Sequence, residues 1–459
     1  MSDRPGEVLG EFPLSREEAR RAADTVLDLP GAEGVELVFT ASRVGMTRFA
    51  NSEIIQNTLK HELRAYVRVV VGKRSASATT TQLDPVYLQR AATSALEAAQ
   101  ASPADPDFPG LPSPDEVGRA EALFRWDEPT SIATPSQRAE KVRVLLAAAG
   151  SDNAAGIYET SSHAFAVISS AGVDCFDAHT RAVTTCLVDS GEATGWGDES
   201  SHSLAEVDVE AAARRARAKV QHGPSQDAEP GNYEVVLEPA AVATIIEYLA
   251  YCGFGAKQVI EGESFLVGKQ GSRVAAPEIT VGDDVWHPRS VGIGFDFEGV
   301  PKRRVPVIDG GVATGPVTDV RTSRQLDLEV SGHYSGSSEF GPYAANVVLE
   351  AGEHGLDDLV AGVDAGILVT RFHYVNVLDR PTTLLTGMTR DGTFRIRGGE
   401  VAEPVHNFRF TQNALGALEA VRGVGRDLAA VAPDYGSFGS TVAPALGVGE
   451  FHFSSTTSH

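Results

Sequence analysis

Two stretches of this chain read as breaks between regular elements, and they limit every fold it can adopt. Residues 102–118 (SPADPDFPGLPSPDEVG) hold five prolines and two glycines. Proline fixes φ and removes a backbone donor, so this segment reads as a linker or an extended surface crossing. Residues 221–232 (QHGPSQDAEPGN) form the second break and mark the firmer boundary, near residue 226. The expected division is an N-terminal α+β domain over 1–102, a middle α+β domain over 118–222 and a C-terminal β-rich domain over 227–459. A chain of 459 residues is too long for one ordinary core, which agrees with such a division.

Periodicity fills in the segments. Ser15 and Glu18 form a capping box ahead of a helix over 14–28. Alternating Val35, Leu37 and Phe39 predict a half-buried strand. Strand-like runs follow at 48–57 and 62–71, then a helix at 84–101. In the middle segment a helix at 135–149 precedes strands at 156–160, 164–169, 174–178 and 182–189, and a helix at 203–219. After the second break come a short strand at 233–237 and an amphipathic helix at 239–252, with Val242, Ile245, Ile246 and Leu249 on one face. Beyond it the chain is mostly strand and glycine-rich loop, with one short helix at 412–421. The fold class is therefore α+β: an N-terminal helix-and-sheet half followed by a β-rich, barrel-like C-terminal domain.

Charge and composition exclude some functions. The net charge of −23 repels a phosphate backbone, so nucleic acid is not an expected partner. No run approaches the roughly 18 apolar residues of a membrane-spanning helix. The acidic, polar start MSDRPGEVLGEF lacks the basic and apolar regions of a signal peptide. Three sparse cysteines, Cys175, Cys186 and Cys252, suit a reducing compartment, and the cytoplasm is the expected location. Cys175 and Cys186 flank what reads as a hairpin, so they are expected to be neighbouring core thiols.

The usual catalytic signatures are missing. Of the twelve histidines no two lie within five residues of each other, so no helical zinc pair exists, and there is no CxxC. Gly332-His333-Tyr334-Ser335-Gly336 has the wrong spacing for a nucleophile elbow. Three polar segments stand out instead. Asp283-Asp284 with Phe295-Asp296-Phe297-Glu298-Gly299 could bind a cation, although Asp and Gly also serve plain turns. The loop 331–338 (SGHYSGSS) could hold a peptide backbone, shape a cavity or lie on the surface. In 48–56 (RFANSEIIQ) polar groups interrupt a strand pattern, either to line a cleft or to face solvent.

These segments also carry a resemblance. The run 48–56, Ser169-Ser170-Ala171-Gly172, the strand 231–237, the segment 262–269 (GESFLVGK), Asp296-Phe297-Glu298-Gly299-Val300-Pro301 and the closing Thr441-Val442-Ala443-Pro444-Ala445-Leu446 are similar, in order and spacing, to the TldD/PmbA family. That family includes metallopeptidases and was once described as modulators of DNA gyrase. Its TldD branch carries a helical HExxxH, in which two His and a distant Cys hold zinc and the Glu is the general base. Counting back from 264–271 aligns that motif with Glu247-Tyr248-Leu249-Ala250-Tyr251-Cys252. Glu247, Tyr248 and Cys252 thus replace the motif's two ligands and base. The chain resembles the TldE (PmbA) branch, which lacks the motif.

The resemblance implies a non-metal subunit in a heterodimer with a TldD-like HExxxH subunit. No cofactor is expected in this chain, and zinc is expected in the partner. The substrates implied are unfolded peptides, including leader peptides, degraded or trimmed in a cavity to which this subunit adds walls. Segment position and polarity assign to that wall Arg48, Asn51 and Gln56 from the first domain, and Ser264, Asp296, Glu298, His333 and Ser335 from the last. Two other readings stay open: a binding or regulatory protein acting on a topoisomerase or toxin system, and an autonomous peptidase with an unrecognised metal site.

Overall fold

The computed structural model describes residues 13–150, 152–431 and 439–457. The opening residues 1–12, in which no signal peptide was read, lie outside the described residues, as does His459.

The N-terminal half is one antiparallel sheet with helices on one face. Its elements are α1 (Arg16–Asp24), β1 (Gly34–Ala50), β2 (Glu53–Val71), β3 (Arg74–Thr80), α2 (Pro85–Ala101), the short α3 (Pro114–Val117) and α4 (Glu128–Ser131), α5 (Pro135–Ala149), β4 (Asn153–Ser169), β5 (Asp174–Asp189), β6 (Thr194–Ser201) and α6 (Val209–Val220). The capping box of Ser15 and Glu18 is present at α1. Strand order is β3-β2-β1-β4-β5-β6, and β1 pairs with β4 from Glu36 opposite Ser169 to Phe49 opposite Gly156. One sheet therefore runs through both segments on either side of the proline-rich crossing.

Side-chain alternation gives this sheet two different faces. Leu37, Phe39, Ala41, Ala164, Ala166 and Ile168 pack under α1 and α2, and Ala154, Tyr158, Ala182 and Cys186 pack under α5 and α6. The opposite face presents Val38, Phe165, Val167 and Cys175 to Ile293 and Phe295 of the C-terminal half.

Three expectations change here. The run at 48–57 is not one strand but the tip of the β1–β2 hairpin, with Asn51 and Ser52 at φ 53° and 60°. Two consecutive positive φ values are what a tight two-residue hairpin turn requires, and Asn tolerates them better than most residues. The runs at 156–160 and 164–169 are the single strand β4, and those at 174–178 and 182–189 are β5. Cys175 and Cys186 consequently lie on one strand, roughly 36 Å apart at about 3.3 Å per residue, and are not neighbours.

The C-terminal half contains β7 (Gly231–Leu237), α7 (Pro239–Gly253), α8 (Ala256–Ile260), β8 (Val281–Asp283), β9 (Val305–Asp309), β10 (Val312–Ala313), α9 (Val320–Leu326), β11 (Asn346–Leu349), α10 (Leu356–Ala361), β12 (Ala365–Asp379), β13 (Leu384–Arg397), β14 (Glu400–Pro404), β15 (Phe408–Asn413), α11 (Ala414–Glu419), β16 (Val421–Val424), β17 (Ala429–Val431), β18 (Ser440–Ala443) and β19 (Leu446–Thr456). β12, β7, β19, β15 and β13 pair in that order, and β13 pairs back to β12, so the strands close into a ring. This is the barrel-like domain that the glycine-rich, alternating sequence predicts. A second sheet, β10-β9-β8-β11-β18-β17, stands beside it, and α7 packs between β12 on one side and β11, β17 and β18 on the other. Among the described residues no helix is long and apolar enough to cross a membrane.

The strand ring is held by aromatic packing. Phe410 is fully buried, with its ring centroid 4.6 Å from Phe372 and 5.5 Å from Phe451. Removing such a ring leaves a cavity that rigid strands cannot fill. Phe410→Ala is therefore expected to lower unfolding free energy by about 3–5 kcal/mol, read as a lower urea midpoint with an unchanged m-value.

Candidate functional site

A cavity of about 780 Å3 opens where α7, the second sheet and the loops 293–302 and 333–345 meet. The helix puts Glu247, Tyr248 and Tyr251 on its wall, because positions i, i+1 and i+4 share one side of a helix while Ile245, Ile246 and Leu249 face the core. The first loop adds Phe295, Asp296 and Phe297, the second His333, Tyr334, Ser335, Phe340 and Tyr343, and β12 adds Asn376 and Val377. The result is an aromatic enclosure with a few polar groups, the usual make-up of a site for organic or peptide ligands.

The three positions that the resemblance sets against the zinc motif are engaged in structural contacts. The Thr441 hydroxyl donates to Glu247 Oε1 at 2.5 Å. The Tyr248 hydroxyl donates to the Val375 carbonyl at 2.7 Å, tying α7 to the strand ring. Cys252 is fully buried in the core behind the cavity wall, and burial pushes its thiol up to about 12, so it stays protonated. A carboxylate held by a hydroxyl, a phenol spent on a carbonyl and a buried neutral thiol do not fit a zinc ion. Among the described residues no three His, Cys, Asp or Glu side chains come together in a way that could hold a metal.

The other expected wall residues divide into three groups. Asp296, His333 and Ser335 do line the cavity. Glu298 turns away into a neighbouring pocket of about 260 Å3, which it shares with Arg68 and Asp319. Ser264 is buried, donating to the Gly253 carbonyl at 2.6 Å and accepting from Leu266 N at 3.0 Å, so it locks the end of α7 and does not line this cavity. Arg48, Asn51 and Gln56 are brought together, but at the exposed tip of the β1–β2 hairpin, and none lines this cavity.

Buried polar groups shape the loops that make the wall. Asp296 Oδ1 accepts from the backbone N of Glu298 and Val300, and its Oδ2 accepts from Tyr334 N. His333 stands between Ser331 Oγ, 2.9 Å from Nδ1, and Asp283 Oδ1, 3.1 Å from Nε2. Burial alone would raise the Asp283 carboxyl, but His333 and then Lys302 hold it below its ordinary value. Asp284 accepts from the N–H groups of Trp286 and His287, the turn role its neighbourhood of glycines suggests. Tyr251, Phe340 and Tyr343 were not read as site residues, since isolated aromatics look like core until the fold brings them together.

Beside the cavity lies a cluster that joins the two halves. Arg68 Nη2 is 3.0 Å from Glu36 and 2.8 Å from Glu298. Its guanidinium also lies over the Tyr334 ring at 5.6 Å. Burial pushes Glu36 up to about 7, with Arg68 opposing and Glu298 adding to the rise. Burial, and next the Glu298 charge, push Asp296 up to about 8.

Comparison with known proteins places this geometry. Residues 230–455 match the family model described as the PmbA/TldA metallopeptidase C-terminal domain, and residues 35–102 match PmbA/TldA metallopeptidase domain 1. A metalloprotease of Methanothermobacter thermautotrophicus is 25% identical over 338 residues, which cover 69% of this chain and 72% of that protein. A zinc metalloprotease TldD homolog of Saccharolobus solfataricus is 23% identical over 210 residues, 43% of this chain and 44% of the relative. The crystal structure of TldE from Thermococcus kodakarensis shares the fold with a TM-score of 0.82 at 21% identity, covering 95% of this chain and 99% of that one.

The acidic cluster has a consequence for pH dependence. Carboxyls whose folded pKa is raised keep protons that the unfolded chain has already lost, so stability falls as pH rises from their ordinary values of 4.5 and 3.8 up to about 7 for Glu36 and about 8 for Asp296, and levels off above that. His163, whose pKa burial lowers to about 3 from 6.5, acts in the opposite sense, but only below about 6.5. Thermal melting is therefore expected to drop as pH rises from about 5 to about 8 and to level off above that, and Glu36→Gln should flatten the part of the drop below about pH 7. An unchanged slope in the variant would remove the cluster as its cause.

Proposed function

Because this chain belongs to the PmbA/TldD metallopeptidase family, we propose that it is the subunit without a metal in a two-chain peptidase. Zinc and the general base are supplied by a TldD-like HExxxH partner. The pair degrades or trims unfolded peptides, leader peptides among them, in the cytoplasm, and this chain completes the proteolytic cavity.

One observation carries the reading. The helix at the motif's position is retained, while each replacing side chain is engaged in holding the fold: Glu247 by Thr441, Tyr248 on the Val375 carbonyl and Cys252 in the core. Such a helix supports a cavity wall but has no ligand set to activate a water. The aromatic enclosure around it suits an extended peptide. Tyr251, Phe340 and Tyr343 offer apolar faces to side chains, and Asn376 and Ser335 offer groups that can bond a peptide backbone. A mixed enclosure of this kind contacts side chains loosely, which suits substrates of varied sequence.

The test is co-expression of the full chain with an HExxxH relative from the same genome. The two should co-purify, and the pair should cleave an unfolded peptide such as a casein fragment. Ser335→Trp, which fills the cavity from an edge loop, is expected to lower kcat/KM of the pair by about tenfold or more, on the order of 1.4 kcal/mol, while leaving co-purification intact. Unchanged cleavage by the Ser335→Trp pair would mean that this cavity is not part of the peptide path.

A further inference from the structure

The middle of the chain holds a second cavity, of about 620 Å3, between α5, β4 and the start of α6. Much of its wall is apolar, from Val144, Leu204, Val207 and Val209. Arg138 and Tyr158 also line it, each only 1% exposed. Arg138 donates to the Ala133 carbonyl at 2.8 Å, to the Thr160 hydroxyl at 3.4 Å and to the Asn57 side-chain oxygen at 3.3 Å. All three acceptors are neutral. Among the described residues, Arg138 Nε and the Tyr158 hydroxyl meet no hydrogen-bond partner.

An unpaired guanidinium is one of the costliest groups to bury, so its placement needs a reason. The fold makes room for it: a Cβ at Gly45 would lie 2.4 Å from Arg138 Nη1, so only glycine lets the guanidinium rest on β1. Burial works against its charge and so does the nearby Arg43, with the Tyr158 phenol acting in its favour. The first turns of α5 and α6 border the cavity too, through Gln137 and Arg138 on one and Val209 and Glu210 on the other. Both helix N-termini add positive potential. The acids at the rim are engaged elsewhere. Glu140 pairs with Arg143 at 2.7 Å, Glu210 pairs with Arg214 at 2.9 Å, and Asp208 caps Ala211 N at 2.9 Å.

We propose that this cavity binds a carboxylate carried on an apolar group, with Arg138 and Tyr158 donating to the carboxylate oxygens and Val144, Leu204 and Val207 enclosing the apolar part. Arg138 is the buried cation of this wall, the half-buried Lys141 stands near it beside Glu140, Asp208 and Glu210, and the apolar wall with these acids disfavours a doubly charged, fully hydrated phosphate. Burial pushes the Tyr158 phenol up to about 12, which keeps it a donor. Two sources present this chemistry: the C-terminal carboxylate of a peptide ending in an apolar residue, and a free acylated amino acid. The site is separate from the peptidase cavity, so it stands or falls independently of the two-chain reading.

Calorimetry and thermal melting of the full chain test it with three probes: N-acetyl-leucine, N-acetyl-leucinamide and N-acetyl-Ala-Ala-Leu. The two acids should bind and raise the melting temperature, and the amide should not. Tighter binding of the tripeptide identifies a peptide end as the ligand, and equal or weaker binding identifies the small acid. Tyr158→Phe removes a hydroxyl that holds nothing in the protein, so it should melt like the parent without ligand yet bind the acids about fivefold or more weakly. Arg138→Gln should abolish acid binding. Equal binding of acid and amide, no binding of either acid, or full-strength acid binding by Tyr158→Phe would overturn the proposal.

Discussion

One buried guanidinium decides how the two halves of this protein meet. Arg68 stands directly opposite Glu36 in the β1–β2 ladder, so the sheet carries a cation and an anion on the face away from its helices. Glu298 then reaches the same guanidinium from the C-terminal half. Two carboxylates around one cation in a dry interface are not a source of great stability, since desolvation offsets most of their attraction. What they set is position. The apolar cluster of Phe165, Val167 and Phe295 supplies cohesion, and the Arg68–Glu298 pair adds a directional contact between the same two halves.

The cavity depends on this docking. The loop bearing Glu298 also bears Asp296, whose two oxygens collect three backbone N–H groups and so fix both Phe297 and Tyr334 in the wall. Asp177 on β5 accepts from Leu123, Phe124 and Gly294, which stitches the segment after the proline-rich crossing and the same C-terminal loop to the sheet. Charge therefore acts in this protein mainly through buried carboxylates that order loops. The helix α7 forms part of the same wall, with Glu247 and Tyr248 committed to neighbours.

Parts of this were legible beforehand for identifiable reasons. The capping box at Ser15 and the amphipathic stripe of α7 are local signals, and local signals survive in the fold. Strand length was underestimated in β4 because Ser161, Ser162 and His163 look like a turn, yet all three are buried in the sheet, Ser161 and His163 on the face that meets the other half and Ser162 on the helix face. The polar run at 48–56 left a cleft-lining and a solvent-facing role open, and Asn followed by Ser is itself a turn signal that favours the exposed hairpin tip. In the site, Asp296, His333 and Ser335 could be found because polar residues cluster in glycine-rich loops there. The aromatic wall could not, because Tyr251, Phe340 and Tyr343 converge only through α7 and a loop some ninety positions later in the chain, and no periodicity links them. Ser264 matched the family's pattern for a structural reason, the closure of α7.

The central claim is that the scaffold of a zinc peptidase remains here while its metal chemistry belongs to a second chain. Metal analysis combined with a peptide-hydrolysis assay, on the chain alone and on its complex with an HExxxH relative, tests this most directly. The account predicts no zinc at stoichiometric level and no hydrolysis for the chain alone, with one zinc per complex and hydrolysis once the partner is present. Stoichiometric zinc and peptide cleavage in the isolated chain would contradict it.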